Sequence, residues 1–125
     1  MTTGRDDKRT LGVTAAGAAD LDEIMSTEWF AEEMDAYRVA ISLAFANDLM
    51  KDPSEMTGVS TKWNVGTLDP DDMLRSMVLA LSEEQVDRPY AHAEARAAAG
   101  LEYLKRRLVD EKAQLAEILA KAPAP

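Results

Sequence analysis

The sequence predicts an all-α fold of three main helices, at about 20–51, 70–82 and 88–120, with a candidate short strand at 61–66. Three observations carry that expectation. Phe30, Met34, Tyr37, Ile41, Phe45 and Leu49 recur at three- and four-residue steps, the spacing of one helix face. Met73, Leu74, Met77, Val78 and Leu81 repeat the pattern over a shorter run. Ala97, Leu101, Leu104, Leu108, Leu115 and Ile118 alternate steps of four and three, a heptad-like seam broken at Glu111.

The first helix has two candidate starts. Asp20 can cap it, with Glu23 completing a capping box, and Ser26 or Thr27 offers a later start. One helix over 20–51 and a short helix followed by a long one both fit. From Val39 the run VAISLAFA is apolar almost all round. A helix of that kind is buried on every side, which predicts a central helix with Ile41 and Phe45 as interface candidates. The preceding residues, 1–19, are mixed in charge and then rich in Ala and Gly. They predict a flexible leader, residues 20–121 a single helical domain, and residues 122–125, rich in proline, a disordered tail.

The segment STKWNVGTLDPDD, 60–72, is read in two halves. In the first, Thr61, Trp63, Val65 and Thr67 alternate with Lys62, Asn64, Gly66 and Leu68, the period of a strand. Trp63 and Asn64 become interface candidates. In the second, Asp69 is expected to cap the next helix, with Pro70 at the first helical position and Asp71 and Asp72 at the positive end of the dipole. On the cap alone, replacing Asp69 by Ala is expected to cost about 1 kcal/mol. Met34, Met73 and Met77 fall on expected core faces.

After the polar connection SEEQVD, with Ser82 or Asp87 as a cap, the last helix opens on AHAEARAAAG. Small residues there let another backbone come close, although Gly100 costs roughly 1 kcal/mol of helix propensity relative to Ala. The second half is expected to project beyond the core and either pair with a copy of itself or meet a partner, with Leu101, Leu104 and Leu108 as interface candidates.

Composition narrows the functions. The 125 residues include no Cys, which excludes disulfides and thiolate metal sites. The net charge of −9 weighs against nucleic-acid binding. Charge is also uneven: residues 20–35 hold seven acids and no base. From 88 to 121 there are seven bases and five acids. The first ten residues lack the apolar segment of a signal peptide, so a cytoplasmic protein is expected. The single His92 has only Arg96 one helical turn away, with no nucleophile beside it.

Two resemblances bear on chemistry. Glu28, Glu32 and Asp35, with Glu84-x-x-Asp87, resemble the acidic sets of the all-α nucleotide pyrophosphohydrolases, though the Glu28–Glu32 step departs from that family's first motif. The resemblance implies Mg²⁺ held against a triphosphate. The order strand, helix, helix from 61 onward is similar to ribbon-helix-helix DNA-binding dimers. That resemblance implies Lys62 and Asn64 facing bases, with the strand paired across a dimer. More diffusely, YRVAISLAFA and WNVGTLDPDDMLR are similar to small bacterial accessory proteins that accompany larger enzymes. The principal expectation is a non-enzymatic helical interaction or accessory module without a cofactor. It is expected to self-associate, with a dimer favoured, and to serve a larger assembly alongside a protein partner.

Overall fold

A computed structural model describes residues 7–120. The chain is mostly helical, as the periodicity predicts, with a small two-stranded antiparallel sheet added. The elements are β1 (Thr10–Val13), α1 (Ala15–Ser26), α2 (Glu33–Ala46), β2 (Ser60–Asn64), the single turn α3 (Val65–Leu68), α4 (Met73–Leu81), α5 (Pro89–Lys105) and α6 (Leu115–Ala120).

The segment read as a flexible leader instead contributes β1 and the first turns of α1; its residues 1–6 lie outside the described residues. Leu11 and Val13 are buried in the main core. Thr14 then caps α1, its hydroxyl accepting from the Gly17 N–H at 2.9 Å. The helix thus begins five residues before the expected Asp20 cap. It stops where Ser26 and Thr27 donate their hydroxyls to the carbonyls of Glu23 and Ile24, both at 2.6 Å. Such side-chain bonds to the preceding turn compete with helix continuation. Glu28 follows with φ 63° in the left-handed region. The 20–51 run is therefore a short helix and a longer one, not a single element.

α2 is the central helix, burying Ala36, Tyr37, Ala40, Ile41, Leu43 and Ala44. It lies against α5, the largest helix–helix contact of the fold. The close approach centres on Gly100, where a Cβ would land on the Ala40 carbonyl. The small residues of AHAEARAAAG do admit another backbone, and it is the chain's own α2.

β2 pairs with β1 of the same chain, Leu11 opposite Trp63 and Gly12 opposite Thr61, with an irregularity between Leu11 and Gly12. A two-residue-period segment was expected to find its neighbour in a second subunit. Here the neighbour arrives from 50 residues upstream, beyond the reach of local pattern reading.

The turn ahead of α4 differs from expectation. Asp69 is buried, yet α4 begins only at Met73, with Asp72 at the nominal cap in a left-handed conformation, φ 58°. Asp69 still satisfies the helix start, reaching forward to the N–H of Leu74 at 2.8 Å and of Arg75 at 3.1 Å. Pro70 stands in the turn and not in the helix.

α5 starts at Pro89, but neither Ser82 nor Asp87 caps it. Both carboxylate oxygens of Asp7 do, accepting from Tyr90 N–H at 2.9 Å and Ala91 N–H at 3.1 Å.

The long helix over 88–120 is interrupted. Arg106–Asp110 form a π-helical turn, Lys112 takes φ 56°, and α6 returns Ile118 to the core. The interruption falls at Glu111, the one charged residue on the seam. A carboxylate there cannot enter the core unpaired. It lies instead 2.9 Å from Arg107 Nε and 3.4 Å from Arg106 Nε. The expected projecting end is folded back. Leu101, Leu104, Leu108 and Ile118 all join the same core as Tyr37 and Ile41.

Candidate functional site

Among the described residues a cleft of about 800 Å³ opens over the first half of α5. One wall is the end of α2 with the 47–56 segment, which supplies Phe45, Asp48, Met50, Lys51 and Met56. The 81–88 connection supplies Leu81, Glu83, Glu84, Val86 and Arg88. The floor is the first half of α5, with His92, Glu94 and Arg96, and Lys8 closes one side. The volume suits a ligand or an inserted side-chain cluster.

The charged groups on the floor are engaged in holding the fold. Glu94, 6 % exposed, accepts from the Gly12 N–H at 2.9 Å and pairs with Lys8 at 3.0 Å. It thereby ties β1 to α5, and the Tyr37 hydroxyl ties the same residue to α2 by donating to the Gly12 carbonyl at 2.9 Å. Removing the Glu94 carboxylate leaves a buried N–H without its acceptor. Glu94→Ala is expected to cost about 2 kcal/mol in chemical denaturation; an unchanged midpoint would contradict the assignment. Lys51 is held by Glu102 at 2.9 Å, and that hydrogen bond raises its pKa.

His92 and Arg96 share the Phe45 ring. The imidazole stacks on it with centroids 5.7 Å apart and planes at 20°, and the guanidinium lies 4.3 Å from its centroid. Arg96 Nε donates to His92 Nε2 at 3.1 Å, and Nη1 donates to the Leu49 carbonyl at 2.9 Å. Burial and the neighbouring guanidinium push the His92 pKa below its ordinary 6.5. Desolvation also lowers Arg96, opposed by Asp48 and Glu83.

The sign of the linkage follows. The fold favours neutral imidazole, so this contribution to stability is complete above the unfolded value of about 6.5 and lost as the pH falls through it towards the lower folded value. Stability should therefore drop on acidification through about pH 6.5, and His92→Gln should flatten that part of the profile. A histidine with one nitrogen accepting from arginine and its ring stacked on phenylalanine is placed for packing more than for proton transfer.

The residues singled out from the sequence are dispersed. Ile41, Leu101, Leu104 and Leu108 are buried within the chain. Phe45 is half-buried at the cleft. Trp63 is half-buried, edge-on to Tyr37 with centroids 4.8 Å apart, while Asn64 is exposed. Lys62, the expected base-reading residue, is paired with Glu33 at 2.6 Å. Glu28 lies in the α1–α2 break, Glu32 at the cap of α2, and Asp35 is 3.6 Å from Arg38. Glu84 and Asp87 sit on the 82–88 connection. Among the described residues no three His, Asp or Glu side chains converge as metal ligands.

The structure also brings forward residues that the pattern reading passed over. Glu94 was legible as a lone carboxylate inside an alanine run meant for close packing. Asp7 had no local signal, because its partners lie more than 80 residues away. Met73 was expected in the core and is 72 % exposed, and Leu81 at the other end of α4 is 54 % exposed. No helix among the described residues is long and apolar enough to cross a membrane. No family model matches the chain, and comparison with curated proteins and with solved structures returns no match.

Proposed function

We propose that the chain is a non-enzymatic helical interaction module, self-associating and serving as an accessory to a larger assembly. The observation that supports this reading is a division of labour around the cleft. Its ionisable floor is engaged within the fold, whereas apolar side chains at its lip, Met50 and Leu81, stand in solvent with Met73 further along α4. A catalytic site needs a titratable group free to meet substrate; an interaction surface needs exposed apolar area with a polar rim.

The seam expected to pair two copies is buried in the monomer, so self-association uses a different surface. Sedimentation over micromolar concentrations tests it, with a concentration-dependent rise in mass expected. A constant monomer mass would remove the self-association. The module reading would then depend on a separate partner.

A further inference from the structure

α4 carries an apolar arc wider than the fold uses. Leu74 and Val78 are buried, while Met73, Ala80 and Leu81 are exposed and Met77 is half-buried. Steps of four and three place Met73, Met77, Ala80 and Leu81 on one face. The stripe borders α2, where the Ser42 hydroxyl lies 3.9 Å from Met77 Sδ, and it runs at Leu81 into the cleft beside Phe45, Met50 and Met56. Met73 and Met77 thus lie on the stripe, and Met50 and Met56 line the cleft into which it runs. Thioethers on flexible stems suit a surface that must repack around its ligand.

The rim has one sign at both ends. Asp71 and Asp72 precede the stripe and Glu83 and Glu84 follow it, separated by on the order of 15 Å of helix at 1.5 Å per residue. All four are exposed, and none forms an ion pair with another described residue. Arg75 is the only base within α4, and of the bases lining the adjoining cleft Lys8, Lys51 and Arg96 are engaged by Glu94, Glu102 and the Leu49 carbonyl, with Arg88 engaged as well. A second copy docked through this stripe would set acid against acid whether the two α4 helices ran parallel or antiparallel. The chain's net charge of −9 adds to that repulsion.

We propose that the α4 stripe of Met73, Met77 and Leu81, with the adjoining cleft at Phe45 and Met50, binds a basic amphipathic helix of a protein partner. Its apolar face would lie on the stripe and its Lys or Arg residues would meet Asp71–Asp72 and Glu83–Glu84. Helix-in-groove recognition reads apolar anchors at i, i+3 or i+4, and i+7, which is the spacing this stripe offers. Flanking charges supply orientation and salt dependence. This inference rests on the interaction-module reading and supplies its partner chemistry.

The test uses the full chain with methyl-labelled methionines and a Leu/Lys peptide of about four helical turns, its leucines on one face. Controls are a scrambled peptide of the same composition and a Leu/Glu version. Saturable binding of the Leu/Lys peptide, with shifts confined to Met50, Met56, Met73 and Met77, is expected. The variant D71N/D72N/E83Q/E84Q should weaken binding about tenfold, given fractions of a kcal/mol per exposed ion pair, and flatten its salt dependence. M73S/L81S, on exposed positions, should weaken it with the thermal midpoint unchanged. Equal binding of the scrambled peptide, or shifts elsewhere, would overturn the proposal. Shifts at these methionines on concentrating the chain alone would make the stripe a self-interface, overturning the basic partner while keeping the interaction module. A constant monomer whose methionines no peptide moves would end both readings.

Discussion

Replacing Gly100 by Ala is expected to destabilise the fold by about 3 kcal/mol, at the upper end of what overpacking costs. The local effect has the opposite sign, since Ala is favoured over Gly by about 1 kcal/mol within a helix. What reverses it is the position of α2. The added methyl would fall on the Ala40 carbonyl, a backbone atom that no rotamer change can move. Relief requires α2 and α5 to separate, and with them the contacts of Ala40, Ile41, Ala97, Leu101 and Leu104 in the common core. Gly66→Ala is the matched control, because nothing lies within 4 Å of the methyl it adds. It should leave the midpoint unchanged or raise it slightly. Chemical denaturation of both variants decides the matter, and a Gly100→Ala protein as stable as the parent would refute this packing of α2 on α5.

Asp69→Ala is expected to cost about 3 kcal/mol, roughly three times the value of an exposed cap. The sequence offers Asp69 as a helix cap and nothing more. In the fold Asp69 is 4 % exposed and its carboxylate accepts three hydrogen bonds: from the N–H of Leu74, the N–H of Arg75, and the Tyr90 hydroxyl at 2.8 Å. It therefore joins α4 to α5 as well as starting α4. Burial, reinforced by that carboxylate, pushes the Tyr90 pKa well above the ordinary tyrosine value, so the phenol stays a donor. Truncation would strand the Leu74 N–H and the Tyr90 hydroxyl where water is scarce, leaving the part-buried Arg75 N–H as the third donor without its acceptor, and stranded donors cost more than the bonds themselves contribute. Tyr90→Phe removes one of the three and should cost about 1 kcal/mol. In a double-mutant cycle the two losses should be less than additive, because the Tyr90 bond is counted in both. Full additivity would show that the two groups do not interact.

These two positions mark where local reading ends. A helix start near 70 was legible, since Asp, Pro and two further acids make a recognisable N-terminal signal. The depth of Asp69 was not, because burial depends on α5 lying across it. Gly100 was legible as a place for close approach, but the neighbour's identity was not. The seam of Leu101, Leu104 and Leu108 was legible as an apolar stripe. Its assignment to a dimer failed because a stripe does not say whether its cover comes from the same chain. The candidate groove was the least visible. Met73, Met77 and Leu81 obey the core period, and only the placement of α4 on α5 shows that Leu74 and Val78 take the buried positions.

By itself the sequence determined what depends on neighbours a few residues apart. Helical period, the alternating segment near 61, a helix-start signal at Asp69 and the absence of cysteine chemistry are properties of short windows, where side-chain spacing and backbone preference act directly. Tertiary structure decided everything that joins distant residues. It gave β2 its partner strand, capped α5 with Asp7, folded Ile118 back into the core and placed Glu94 beneath Gly12. Each of these is a contact whose loop-closure entropy is met only when the whole core forms, so no local pattern encodes it. The exposed stripe on α4 is the remainder left once that core is complete.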